Sequence, residues 1–358
     1  MKTPTPLLPL LLLGATALLS ACGPRPIVDL PRSQTPPGIE AAARSYIQAF
    51  KDSSVNVESL MILKGGKVVF EQWFGDGDPD RPHVMHSVSK TFTATAVGFA
   101  VQEGLLKLDD KVADFFPDKL PPKDSLSEEC YSNLREVTVR DLLTMSGGHD
   151  TEPRISRQGE GDWVRQFLAA PFVHKPGTFF TYNSMGTYVL SAIVQKVTGE
   201  KIVDYLTTRL FEPLHIDKPQ WQESPQGINT GGWGLYIKTE DMAKFGQLLL
   251  DGGKWNGKQL ISSEWVKEAT SRQGPSFPGE IRADEADKYA ERLKDDLWGQ
   301  GYCYQMWCCR GNAVRADGAQ GQYIILLPDK DMVVVTTASH QNVRQALYLL
   351  WNQLIMKL

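Results

Sequence analysis

The chain alternates between segments with helical spacing, segments with strand spacing, and one apolar stretch at its start. That stretch, Leu7 to Leu19, is broken by Pro9 and Gly14 and is too short to span a bilayer. Gly38 to Phe50 has helical periodicity. Two β-rich runs, Leu60 to Leu63 and Val68 to Phe74, flank Lys64-Gly65-Gly66-Lys67, which is a hairpin signal. From Ser87 to Leu106 apolar Phe92, Ala96, Phe99 and Ala100 recur at helical intervals, ending near Gly104. Helical runs at Trp163 to Leu168, Met185 to Val197 and Met242 to Leu250 follow, separated by loops rich in Pro and Gly, and residues 272–296 form a polar, charge-rich excursion. Strand patterns return at Tyr302 to Cys308, Gln322 to Leu327 and Met332 to Thr337, before a last helical run from Val343 to Ile355. Strands at both ends with helices between them, and no βαβ alternation, predict an α+β fold. Its antiparallel sheet is built by N- and C-terminal strands flanked by helices, with a mostly helical region inserted at about 105–297.

The leading segment reads as a secretory signal over residues 1–21. Leu19-Ser20-Ala21-Cys22 resembles a bacterial lipobox, which makes Cys22 the expected lipidation site. Gly23 to Pro37 is rich in Pro and without periodicity, so residues 22–37 are expected to be a tether and residues 38–357 the folded domain. The expected location is the cell envelope, at the outer membrane facing periplasm or exterior, with the lipid anchor as the membrane contact. Lys plus Arg number 38 against 42 Asp plus Glu, and no long cationic run is present, so nucleic acid is not an expected partner. Once Cys22 carries lipid, Cys130, Cys303, Cys308 and Cys309 remain, an even number in an exported chain, with no pairing assigned.

Several chemistries are excluded by their missing residues. There is no Gly-x-Ser-x-Gly elbow. Gly252 to Lys258 follows a phosphate loop for seven positions, but Gln259 stands where the magnesium-binding hydroxyl belongs. His83 and His86 have no carboxylate cluster beside them, so a metal site is not expected. What remains is Ser87-Val88-Ser89-Lys90, the one place where a lysine follows a serine by three residues. Ser87 opens a helix, near unpaired N–H groups and the positive end of the helix dipole. Lys90 lies one turn on and can fold back to it, and a lysine kept dry loses its charge readily enough to accept the serine proton.

Five markers in order then resemble the β-lactamase and penicillin-binding-protein type of serine hydrolase, in particular the branch of class C β-lactamases, esterases and 6-aminohexanoate-oligomer hydrolases. They are Met85-His86-Ser87-Val88-Ser89-Lys90-Thr91-Phe92, Val139 to Gly148, Pro176 to Ser184, Gly231-Gly232-Trp233-Gly234-Leu235 before Asp241 to Gly246, and Gly318-Ala319-Gln320-Gly321-Gln322. The resemblance, over about residues 40–357, implies a β-lactamase/transpeptidase-like fold. It also implies catalytic Ser87, Lys90 and Tyr182, and an oxyanion hole from the backbone N–H groups of Ser87 and Ala319. Tyr131-Ser132-Asn133 matches the family's Tyr-x-Asn letters but precedes the Leu142-Leu143-Thr144-Met145 segment, so Tyr182 takes the role and Tyr131 reads as a loop residue. Ser184 then stands where the family has an amide, as a substrate-binding hydroxyl. Gly318 lets substrate approach the strand, and Ala316 replaces the usual cation.

The implied function is hydrolysis of esters or small amides through an acyl-enzyme, with a small-molecule or short peptide-like substrate, and the acyl transfer that the resemblance implies needs no organic cofactor. A D-alanyl carboxypeptidase or β-lactamase is the rival within the family. A catalytically silent lipoprotein that binds ligands in its cleft is the rival outside it, favoured if Lys90 is solvent-exposed. Asp317 is expected to repel a substrate carboxylate.

Overall fold

The computed structural model describes Met1 and residues 28–155, 161–277, 279–280 and 293–358. Cys22, the signal segment and most of the 272–296 excursion therefore lie outside the described residues. Six antiparallel strands form the main sheet: β1 (Val57–Lys64), β2 (Lys67–Trp73), β3 (Trp307–Cys308), β4 (Val314–Gly318), β5 (Gln322–Leu327) and β6 (Met332–Ala338). Their spatial order is β3-β4-β5-β6-β1-β2. The two ends of the chain meet at the centre, where Leu60 faces Thr336 and Ile62 faces Val334 across the β1–β6 ladder. The central strands are buried on both faces, which is why their sequences read as unbroken apolar runs rather than alternating ones.

Side-chain alternation sorts the sheet's residues into two cores. Leu60, Ile62, Ile325 and Val334 face α1 (Pro37–Asp52) and the C-terminal helix (Val343–Gln353), where Tyr46, Phe50 and Trp351 complete the layer. Met61, Leu63, Ile324, Leu326, Val333 and Val335 face the larger core. That core is built on α2 (Ser89–Gln102), α3 (Ser184–Thr198) and α4 (Thr239–Leu250), the C-terminal helix being α5. The fold is α+β, the sheet lying between two helical layers, with the helical region carried on α2 and α3.

Three elements differ from the sequence reading. Tyr302 to Cys308 is not one strand: Gln305 takes a left-handed φ of 59°, the chain reverses, and Tyr302 pairs with Trp307, leaving only Trp307–Cys308 in the sheet. Gln305 pays for the reversal with side-chain bonds to the carbonyls of Leu142 and Leu143 and from the Thr187 hydroxyl. Secondly, Tyr131 sits on a helix, Glu128–Glu136, and not in a loop. Ser127 caps that helix by accepting from the Cys130 N–H.

Thirdly, the segment expected to tether the domain up to Pro37 is seated on it from Leu30 onward. Leu30 is buried, the Ser33 N–H donates to the Val68 carbonyl, and Arg32 bonds both Glu71 and Glu240. Any free tether is shorter than the Pro-rich composition suggested.

Helix α4 lies so close to the sheet that a Cβ at Gly246 would stand 2.7 Å from Val333 Cγ1 and 2.8 Å from Ile324 Cγ2. The strands behind these atoms cannot retreat without disturbing both cores. Gly246→Ala should therefore destabilise the protein by about 1–3 kcal/mol, the usual cost of overpacking, seen as a lower urea midpoint at unchanged m-value. An unchanged midpoint would show that the interface is looser than these distances.

Candidate active site

Ser87 sits in a single 3-10 turn, His86–Val88, that feeds directly into α2. The turn begins with a left-handed residue, His86 at φ 45°, a conformation uncommon for a residue with a side chain. It swings Ser87 to the half-exposed rim while Val88, Ser89 and Lys90 enter the core. Lys90 is 1% exposed. Its Nζ lies 3.0 Å from Ser87 Oγ, 3.1 Å from Ser184 Oγ and 2.7 Å from the Gly232 carbonyl oxygen.

Gly231 and Gly232 are what bring that carbonyl in. Gly231 has φ 64°, and a Cβ on Gly232 would meet the Ser184 carbonyl oxygen at 2.7 Å. The glycine loop is bound to α2 through Thr93, whose hydroxyl donates to the Gly231 carbonyl, and through Ser89, which accepts from the Leu235 N–H. Buried polar side chains on one helix thus hold the backbone that holds Lys90.

Burial lowers the Lys90 pKa to about 7, with the negative charges of Glu152 and Asp317 opposing the shift. A good fraction of the amine is therefore neutral at physiological pH. Tyr182 goes the other way. Burial raises its pKa well above the usual value for a phenol, and its contact with Ser87 opposes that rise. Its ring stacks on Trp307 at 5.6 Å between centroids and lies 4.9 Å from Lys90 Nζ.

Tyr182 reaches this position because α3 begins two residues later. Asn183 is its N-cap and accepts from the Gly186 N–H, so its amide oxygen is spent on the helix. The Ser184 N–H donates to Glu152 Oε1 at 3.1 Å, placing a carboxylate at the N-terminus of α3 next to Lys90.

The opposite wall is the end of β4. Gly318 passes so near the serine turn that a Cβ there would be 2.5 Å from the Met85 carbonyl oxygen. After it, Gln320 takes φ 67°, and its carbonyl accepts from the His340 N–H. Ala316 is buried in the larger core with no cation in its place.

Arg315 and Asp317 project from the other face of the strand. Arg315 Nε lies 3.0 Å from Asp317 Oδ2, to which the Trp298 indole N–H also donates, and Arg315 is fully buried. Asp317 is thus a paired carboxylate. Its repulsion of an incoming carboxylate is largely cancelled by Arg315, contrary to the expectation from sequence.

The structure brings Ser87, Lys90, Tyr182, Ser184, Gly318 and Ala319 to one place and leaves Tyr131 on the helix Glu128–Glu136. Among the described residues no group of three or more His, Cys, Asp or Glu could hold a metal ion, and no helix is long and apolar enough to cross a membrane. Sequence reasoning missed two participants. The Gly232 carbonyl was signalled by the Gly-Gly pair, a usual mark of close backbone approach, whereas Glu152 stands in a loop with no motif to point to it.

The Beta-lactamase family model matches residues 43–353, and the chain belongs to that family. Its fold, a β-lactamase/transpeptidase-like one, is that of a penicillin-binding-protein homologue from Caulobacter crescentus (TM-score 0.66, 19% identity, 91% of this chain and 99% of that one). A family VIII carboxylesterase is equally similar (TM-score 0.66, 17% identity, 91% and 99%). In sequence the chain is 27% identical over 301 residues to the 6-aminohexanoate-dimer hydrolase of Paenarthrobacter ureafaciens, covering 79% of this chain and 72% of that protein. The chain is a member of a hydrolase family.

The buried pair behind β4 has a measurable consequence. Removing one partner strands the other's charge, so Asp317→Ala should destabilise by about 3–5 kcal/mol. The double variant Arg315→Leu/Asp317→Ala should lose less, because no charge is left unpaired. A double variant that loses the sum of the single losses would show that the two groups do not couple.

Proposed function

We propose that the protein is a serine hydrolase that cleaves esters or small amides through an acyl-enzyme on Ser87. The observation that carries this is the Lys90 amine, buried, 3.0 Å from Ser87 Oγ and with its pKa lowered to about 7. A neutral amine has two hydrogens and one lone pair. The hydrogens are accommodated by the Gly232 carbonyl and the Ser184 hydroxyl, which turns the lone pair toward the Ser87 O–H.

Ser87 Oγ attacks the acyl carbon as Lys90 takes its proton. The N–H groups of Ser87 and Ala319 receive the negative oxygen, where preorganised donors contribute most. Tyr182, kept protonated by its raised pKa, passes a proton to the leaving atom, and water activated at the same place then releases the acyl group. The burial of Lys90 argues against a silent binding cleft, since an unused lysine there would cost desolvation for no return. The body is tethered to the cell envelope through lipid on Cys22.

Ser87→Ala should abolish turnover and labelling by a fluorophosphonate, and Lys90→Ala and Tyr182→Phe should each lower kcat/KM at least about a hundredfold. Tyr131→Phe should match wild type. Because the working form of Lys90 is the free amine, kcat/KM should rise with pH through a limb near 7 and level off above it. A profile flat from pH 5 to 9 would remove Lys90 as the base.

Ala316 offers no partner to a substrate carboxylate, a contact that contributes on the order of 1.5–3 kcal/mol when a cation is present. Esters such as p-nitrophenyl acetate or butyrate should accordingly be cleaved with a higher kcat/KM than nitrocefin or D-alanyl-D-alanine peptides. A nitrocefin value at or above the ester's would reverse the substrate assignment and leave the Ser87 mechanism standing.

Cys22→Ala should abolish lipid labelling and detergent partitioning, since acyl chains contribute about 0.8 kcal/mol of membrane affinity per buried methylene. Unchanged partitioning would refute the anchor.

A further inference from the structure

Two cysteines that the hydrolytic mechanism does not use face each other beside the site. Cys303 and Cys308 lie on the same side of the hairpin that Gln305 reverses, and their Sγ atoms are 3.1 Å apart. We propose that they are a disulfide-forming pair, oxidised by exchange with a low-molecular-weight disulfide, and that the bond staples the hairpin backing Tyr182.

The backbone is already in place for it. Tyr302 pairs with Trp307, the Cys303 N–H donates to the Met306 carbonyl at 2.8 Å, and the Cys308 N–H donates to the Gly301 carbonyl at 2.9 Å. The sulfurs need to approach by only about 1 Å to reach bonding distance, within the freedom of side-chain rotation. The other cysteines are elsewhere. Cys309 faces the opposite core, with its sulfur against Arg315 Nη1 at 3.4 Å, and Cys130 is on the helix Glu128–Glu136.

Chemistry assigns the order of events. Cys308 is the more exposed of the two, at 8% against 0%. The hydrogen bond donated by the Cys303 thiol, with Arg272 and Arg315 nearby, favours its thiolate. The Cys308 thiolate attacks one sulfur of the reagent disulfide, giving a mixed disulfide and expelling a thiolate. Cys303 then loses its proton and attacks Cys308 Sγ, expelling the second thiolate. Two protein thiols become one disulfide, and the reagent's disulfide, taking two electrons and two protons, becomes two thiols.

The bond would tie together the two sides of a hairpin whose Trp307 stacks on Tyr182 and whose Gln305 links α3 to the helix Val139–Leu143.

The test uses the full chain, reduced with dithiothreitol, freed of it, and incubated with glutathione disulfide. Remaining thiols are then alkylated under denaturing conditions and counted by intact mass. Wild type, Cys130→Ser and Cys309→Ser should each lose two alkylatable thiols. Cys303→Ser, Cys308→Ser and their alanine counterparts, checked for folding by near-UV circular dichroism, should lose none to an internal bond. Thermolysin should cut the oxidised wild type between residues 301 and 309 several-fold more slowly than the reduced form. Full retention of thiols in wild type, a bond that persists in Cys303→Ser or disappears in Cys309→Ser, or a stable glutathione adduct on Cys308 of wild type would each overturn the pair. Equal cleavage of the two forms would overturn the staple. None of these readouts depends on hydrolytic activity.

Discussion

An amine held out of water is the condition on which the site depends. Lys90 keeps its low proton affinity only while Ser87, Ser184 and the Gly232 carbonyl occupy its three bonding directions and the core excludes solvent around it. Each partner comes from a different part of the chain, and each is fixed by a local constraint. The left-handed His86 aims Ser87, the Asn183 cap starts the helix that presents Ser184, and two glycines admit the carbonyl. Loosening any of the three admits water, and water restores the charge.

The carboxylates set a limit on that effect. Glu152 and Asp317 both favour the ammonium, while desolvation opposes it and is the larger influence. Pairing Asp317 with Arg315 and the Trp298 indole spends most of its charge away from the cleft, and the Ser184 N–H takes part of that of Glu152. Two acids close to a base would ordinarily keep it protonated. Here their partners leave burial in command.

Much of the frame could be read from the sequence because it rests on periodicity and on covalent spacing. The double-sided burial of β1, β5 and β6 gave apolar runs, and the three-residue interval from Ser87 to Lys90 is one helical turn. What escaped was what only packing determines. Tyr302 to Cys308 has the composition of a strand, yet a ring of buried acceptors and donors around Gln305 makes a reversal cheaper than extension. Asp317 was read as a lone charge along a strand; alternation puts Arg315, two residues away, on its face, but only packing shows that the two side chains close into an ion pair away from the cleft. Glu152 acts through space alone, and a lone acid in a loop carries no pattern. The Pro-rich lead-in was equally misleading, since composition does not record that Arg32 has two acidic partners on the body.

That lead-in also bears on how the molecule meets its neighbours. An open sheet exposes unpaired N–H and C=O groups along its outer strands, and such rows invite strands from other molecules. Here β2 is one border, and the segment around Arg32 lies along it, bridging Val68 in parallel and held by Glu71 and Glu240. The other border, β3, is two residues long and turns away at Gln305. At Val68 the outer backbone of β2 is thus already paired, and β3 presents only two residues. Both features shorten the free edge that a copy of the same molecule could extend, and they do so without relying on net charge.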